Sequence, residues 1–169
     1  MQTQYLIIGQ GIAGTLLSYA LWKQGISFMV IDEPHGPPKA SVVAGALINP
    51  VNVNRCTMVA DHQHYIAAAL ETYRSMEETL GISLLEVMQM FGFHKDETKR
   101  QLYNEKQLQL PAYIQQLTNA EITLTQQFFS NKYGMAKVSP VWKIHATRLL
   151  SAWSFFLKNK GLLIQEQFN

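Results

Sequence analysis

The spacing of apolar positions along this chain switches between the period of a strand and that of a helix. Tyr5-Leu6-Ile7-Ile8 is a continuous apolar run stopped by Gly9. Such a run predicts a short strand buried on both faces, as in a parallel sheet. Beyond it, Ala13, Leu16, Leu17, Ala20 and Leu21 fall on one face of a helix. Gly25 predicts a left-handed cap at its end. Phe28-Met29-Val30-Ile31 predicts a second buried strand, closed by Asp32 and Glu33. Pro34, Gly36, Pro37 and Pro38 then predict a loop, followed by small residues from Ala40 to a turn at Asn49-Pro50.

Farther along, Asp61 in the N-cap position predicts a helix over 62–80. Its broad apolar face holds Tyr65, Ala69, Leu70, Tyr73, Met76 and Leu80, and Gly81 closes it. Residues 84–93 predict a strand or two, 97–108 a polar helix, Pro111 a short helical piece and 121–129 a strand. Lys132-Tyr133-Gly134-Met135 predicts a turn, followed by a strand to Val138. Over 144–159 the pattern predicts a strongly amphipathic helix carrying Leu149, Leu150, Trp153, Phe156 and Leu157, capped by Gly161. A final strand is expected at 162–168.

Composition narrows the class. The 169 residues are 47% apolar, enough for a packed core. Only 15% are charged, against about 25% in an average domain. Net charge is +2, and Lys95/Lys99/Arg100 and Lys158/Lys160 are the nearest approach to a basic cluster. Nucleic acid is therefore not an expected partner. The single cysteine, Cys56, excludes an internal disulfide framework and argues against a Cys-based zinc site. It is expected to be a small, partly buried apolar residue. The first apolar run lacks a basic n-region and ends at Gly9. No run approaches the ~18–20 residues of a membrane span. The expectation is a cytoplasmic protein with no membrane partner. Asp61, His62 and His64 suggest a metal site, but positions i and i+2 of a helix point apart, so none is expected. His35, His94 and His145 are expected to be exposed.

The candidate chemistry sits at the start. Gly9-Gln10-Gly11-Ile12-Ala13-Gly14 lies between a predicted strand and a predicted helix, and Asp32 follows 18 residues beyond Gly14 at the end of the second strand. Gly9 allows the tight turn, Gly11 lets a pyrophosphate approach the backbone, and Gly14 lets the helix pack against the sheet. The helix start, with Ile12 and Ala13, offers free N–H groups to phosphate. Asp32 is placed to accept from the ribose hydroxyls of an adenosine. This pattern predicts a Rossmann-like FAD/NAD(P)-binding α/β domain and leaves FAD and NAD both open.

Ser41, Ala44 and Gly45 follow the acid by nine residues and more. Together with the glycine turn and Asp32, this segment resembles the FAD-dependent oxidoreductases of the D-amino-acid oxidase and glycine oxidase type. Those proteins carry the same turn, then an acid, then a Ser-x-x-Ala-Gly segment near the flavin. The match covers residues 5–50 well, and Trp142-Lys143-Ile144-His145 resembles the return to the FAD domain. Where this chain has Asp32 the family often has Glu, and Glu33 could share the role. A covalent flavin link through Cys56 is a minor alternative to its place in the core.

The resemblance implies FAD as cofactor and a small-molecule amine or amino acid as substrate, oxidised by hydride transfer to the flavin. It implies a discontinuous FAD-binding domain over 1–55 and 138–169, with an interleaved, incomplete α+β substrate domain over 56–137. Members run to about twice this length, so the chain is expected to be an N-terminal fragment, accompanied by a missing C-terminal half or acting as a homo-oligomer. No catalytic residue is identifiable. The competing readings are an NAD(P)-binding or nucleotide-sensing module without its own catalysis, and a flavoprotein of the same fold with another substrate.

Overall fold

A computed structural model of the chain describes residues 2–33, 40–52, 55–130 and 132–167. In chain order its elements are β1 (Tyr5–Ile8), α1 (Ile12–Lys23), β2 (Phe28–Ile31), α2 (Ala40–Val43), β3 (Leu47–Ile48), β4 (Val51–Asn52), β5 (Thr57–Met58), α3 (His62–Leu80), β6 (Leu85–Phe93), α4 (Glu97–Gln109), β7 (Ile114–Gln115), α5 (Asn119–Phe128), β8 (Met135–Ile144), α6 (Ala146–Asn159) and β9 (Leu163–Ile164). They form a mixed α/β molecule of two compact units. One comprises Met1–Ala46, Leu70–Leu85 and Ile144–Asn169, the other Leu47–Ala69 and Glu86–Lys143.

The first unit is built on a parallel sheet of order β1-β2-β9. Tyr5 stands opposite Phe28 and Ile8 opposite Ile31, and Val30 stands opposite Leu163 on the other side. Ile7, Phe28 and Val30 are buried on one face. α1 and α6 pack together through aromatic contacts. Tyr19 meets Trp153 edge-on at 5.4 Å, and Trp153 stacks on Phe156 at 4.7 Å. The Trp153 indole N–H donates to the Ser18 hydroxyl (2.8 Å), which keeps a large buried ring from stranding its donor. The second half of α3 joins this unit through the Tyr19 and Ser75 hydroxyls, 2.6 Å apart.

Three expectations for this unit are overturned. The buried residues of α1 are Thr15, Ser18, Tyr19 and Leu21, so of the expected stripe of Ala13, Leu16, Leu17, Ala20 and Leu21 only Leu21 is buried. Leu17 is 52% exposed. Small polar residues win the inner face because the helix lies close to the sheet, and Ser18 there bonds Trp153. Nor is β1 buried on both faces: Tyr5, Leu6 and Ile8 are exposed and only Ile7 is buried. The last strand is also shorter than expected, with β9 spanning two residues.

The second unit holds a sheet of order β3-β8-β6, with β7 also pairing antiparallel to β8. A hairpin of β4 and β5 stands beside it as a separate pairing. Val51, Cys56, Tyr103, Ile114, Val138 and Val141 form the core. Cys56 is fully buried rather than partly so. It has a left-handed φ of 52°, and its N–H donates to the Asn52 carbonyl (2.7 Å). Burial, and then the Cys56 thiol beside it, push the Tyr103 hydroxyl well above its ordinary pKa.

Residues expected as a strand at 121–129 are helical in α5. Thr118 and Glu121 form a capping box: the Thr118 hydroxyl accepts from the Glu121 N–H (3.2 Å) and the Glu121 carboxylate from the Thr118 N–H (2.7 Å). Glu121 also takes the Lys137 ammonium at 3.0 Å. The Thr118 N–H, and then Lys137, hold its carboxyl below the usual range. Pro111 opens a turn rather than a helical piece, and the chain passes from it into β7. Asp61 precedes α3 in a left-handed conformation (φ 51°), its carbonyl accepting from the Tyr65 N–H.

Candidate functional site

Everything the sequence singled out at residues 9–14 meets in the turn between β1 and α1. Gly9 has φ +91°, a conformation only glycine adopts freely. Its N–H donates to the Ile31 carbonyl (2.8 Å), extending the parallel ladder one residue past β1. A Cβ on Gly14 would stand 2.0 Å from the Gly9 carbonyl oxygen and 3.3 Å from Ile7 Cγ2, so no larger residue fits without moving the turn.

Gly11 caps α1 in an extended conformation, and its carbonyl accepts from the Thr15 N–H (2.9 Å). No acidic residue lies in the first turn of α1. No side chain of α1 itself therefore offsets the partial positive charge of the helix start. A Cβ on Gly11 would have Ser41 Oγ at 3.4 Å as its nearest neighbour, an ordinary contact. The protein itself thus leaves room for a methyl group there.

Two side chains from later in the chain close on this turn. Asp32, directly after β2, accepts from the Gln10 N–H at 2.8 Å. Ser41, on α2, accepts from the Ile12 N–H at 3.0 Å. The acid and the serine thus flank the helix start, each on one backbone donor. Ile12 is half-buried, Ala13 and Glu33 are exposed, and Ala44 and Gly45 lie exposed just beyond α2. A Cβ on Gly45 would meet nothing within 4 Å, so packing gives no reason for that glycine.

Gln10 is the residue that sequence reading passed over. It is buried, and its side-chain amide donates to the Leu150 carbonyl (3.0 Å) of α6. One residue thereby ties the turn to α6 through its side chain and to Asp32 through its backbone. A polar residue between two glycines after an apolar strand was the available signal.

The histidines lie elsewhere. His94 is buried, against the expectation of exposure, with its ring 4.9 Å from that of Tyr103. Its Nδ1 is buried without a partner. Burial, then Lys99 and Arg100, lower its pKa. His145 is half-buried rather than exposed. His35 falls outside the described residues. His62 sits between the Val59 carbonyl (3.1 Å) and the Tyr113 hydroxyl (3.2 Å). Among the described residues no three His, Cys, Asp or Glu gather as metal ligands would, and no helix is long and apolar enough to cross a membrane.

No protein-family model matches the chain, and neither does any curated protein. Solved structures do. Glycine oxidase from Geobacillus kaustophilus superposes with a TM-score of 0.74 at 16% identity, over 96% of this chain and 46% of its own. Iminodiacetate oxidase from Chelativorans sp. BNC1 gives 0.72 at 15% identity, over 97% and 47%. L-alpha-glycerophosphate oxidase from Mycoplasma pneumoniae, solved with FAD bound, gives 0.60 at 15% identity, over 98% and 45%. The likeness is one of fold, and it includes the glycine oxidase that the motif resembles. The chain spans less than half the length of each of these proteins.

Proposed function

We propose that this chain is the cofactor-binding part of an FAD-dependent oxidoreductase that oxidises an amine or amino acid. The observation that carries the reading is the turn itself. A helix whose first turn holds no acidic residue lies behind a glycine free of Cβ, with Asp32 and Ser41 beside it. An adenine dinucleotide fits this turn: its pyrophosphate can accept from the backbone N–H groups at Gly11 and Ala13, while the Ile12 N–H is held by Ser41. Asp32 holds the Gln10 N–H with Oδ1, and its carboxylate can accept from ribose hydroxyls, with Glu33 as the neighbouring acid. The Ser41 hydroxyl accepts from Ile12 and keeps its own proton to give to a phosphate or ring oxygen. Exposed Ala44 and Gly45 offer small side chains to a flat ring.

The choice of flavin over nicotinamide draws support from fold neighbours that are oxidases, one of them solved with FAD. The choice of amine or amino-acid substrate draws support from the neighbours named for glycine and iminodiacetate. When bound, the flavin supplies the hydride acceptor, and the protein supplies binding, orientation and electrostatics. In this reading residues 1–55 and 138–169 belong to the FAD-binding domain and 56–137 to part of the substrate domain, in a protein whose other half lies outside this chain. No residue here is assigned a catalytic role.

The test compares the 169-residue chain with a polypeptide that also carries the rest of the fold. Visible absorbance after denaturing release is expected to show flavin in the longer form and little in the shorter. Binding of NAD(H) by titration, with no flavin in either form, would replace this reading with a nucleotide-binding module.

A further inference from the structure

The second unit carries a space that its own side chains do not fill. β7 and β8 stand in register, Ile114 opposite Val138 and Gln115 opposite Lys137. The Lys137 ammonium reaches the Glu121 carboxylate of α5, so Lys137 marks the face of the sheet that α5 covers. Met135 lies two residues before Lys137 in β8, and alternation puts it on that same face. There α5 and the strand ends leave a cavity of about 300 Å³, lined by Leu117, Ile122, Phe129 and Met135 together with Gln116 and Gln126. Ile122 and Phe129 are exposed, so the cavity opens to solvent.

Both ends of α5 are held, which keeps the helix from settling into the space. At its start Thr118 and Glu121 form the capping box, and Glu121 takes Lys137. At its end the Phe129 ring lies 5.0 Å from the ring of Phe93 on β6. The polar groups of the wall divide into two kinds. The Thr125 hydroxyl turns back to the Glu121 and Ile122 carbonyls, at 2.8 and 3.0 Å. The Gln116 and Gln126 carboxamides have no hydrogen-bond partner among the described residues. No charged residue among those described lines the cavity, and the nearby Lys137 is already paired with Glu121.

We infer that this cavity binds a small neutral molecule consisting of a flat aromatic ring that carries an amide. Each part of such a ligand has its counterpart in the wall. Phe129 offers an aromatic ring and Met135 a thioether, both favourable against another ring. A carboxamide presents two donors and an acceptor, the complement of a second amide. An ionised ligand would give up its hydration with no opposite charge to receive it. The volume lies at the lower end of the range for small-molecule sites, which suits one or two fused rings. All of these residues belong to the second unit, so nothing here depends on the cofactor reading.

The test titrates three probes of similar shape into the full chain: naphthalene-2-carboxamide, 2-naphthoate and 2-naphthylmethylamine. Nuclear magnetic resonance reads the Met135 methyl and the side-chain amides of Gln116 and Gln126. The neutral amide is expected to shift these signals with a Kd of about 1 mM or tighter, the scale for a ligand of its size. The anion and the cation should bind about ten-fold more weakly or worse. Gln116→Leu together with Gln126→Leu should abolish that preference and leave the melting temperature unchanged, both residues being exposed. Equal binding of the three probes overturns the inference, as does no binding, or shifts centred on residues outside the cavity. So does a folded double variant that keeps the preference; should the double variant unfold, the three probes on the parent chain decide. N-acetylphenylalanine amide binding more tightly than the naphthalene amide would make the occupant a peptide side chain and likewise overturn it. Flavin content enters none of these readings, so the cofactor proposal can fail without touching this one.

Discussion

A methyl group has opposite consequences at two glycines three residues apart. Gly14→Ala drives a Cβ to within 2.0 Å of the Gly9 carbonyl oxygen, so we expect a lowered melting temperature together with loss of dinucleotide binding. Gly11→Ala meets only Ser41 Oγ at 3.4 Å. That variant should melt like the parent, and Gly11→Val should fold yet fail to bind. Unchanged flavin content in Gly11→Val would remove the turn from the cofactor site. Asp32→Ala should weaken adenine-dinucleotide binding by ~1–3 kcal/mol, the scale for losing a charged hydrogen-bond partner. Calorimetric titration reads this directly, and an unaltered affinity would pass the role to Glu33. Gly9 and Gly14 were legible in sequence because each answers to a local demand, one on φ and one on space, whereas Gly11 meets no such demand within the chain and its role rests on the proposed cofactor. Gln10 was not legible, because its partner, the Leu150 carbonyl, is 140 residues away.

Among the elements, α5 shows two local signals in conflict. Ile122, Thr123 and Thr125 favour a strand by their branching, while Thr118 and Glu121 spell a helix start. The helix forms because both arms of the capping box close and Lys137 adds its ammonium to Glu121. Thr118→Ala should destabilise the second unit by about 0.5–2 kcal/mol in urea unfolding, the usual cost of losing such a cap. His94 supplies a pH dependence in the same unit. Its folded pKa lies below the ordinary 6.5, so the unfolded chain takes up a proton first as pH falls. Stability is therefore flat above about pH 6.5 and declines below it, until the folded pKa is passed. The melting temperature followed from pH 7 down to pH 5 should show that slope, and His94→Gln should reduce it. Burial of His94 was not visible in sequence, since no apolar periodicity marks a residue at the end of β6 packed on Tyr103.

For the whole molecule, the β1-β2-β9 sheet leaves Leu6 and Ile8 more than half exposed. A chain that leaves Leu6 and Ile8 in water gives up apolar burial worth about 1.5–3 kcal/mol for each fully covered side chain. If the rest of the proposed longer polypeptide covers that face, the longer form should melt above the 169-residue chain, measurable by calorimetry on both. No rise would mean that the added polypeptide leaves Leu6 and Ile8 in water.

The order strand, glycine turn, helix, strand, acid was determined by the first 32 residues alone. Every force in it acts within a few residues: apolar runs, the helical period, left-handed glycines, a dipole at a helix start. The amphipathic stripe of α6 was equally plain, because Leu149, Leu150, Trp153 and Leu157 repeat at helical spacing and all are buried. Tertiary structure alone decided which face of α1 turns inward, since the approach to the sheet favours Thr15 and Ser18 over Leu17. It also brought Ser41 to the Ile12 N–H and Gln10 to α6, contacts 29 and 140 residues apart. An apolar run such as Tyr5–Ile8 states that it should be buried; only the packed structure shows that Ile7 alone of the four is buried and that, among the described residues, only β2 pairs with it.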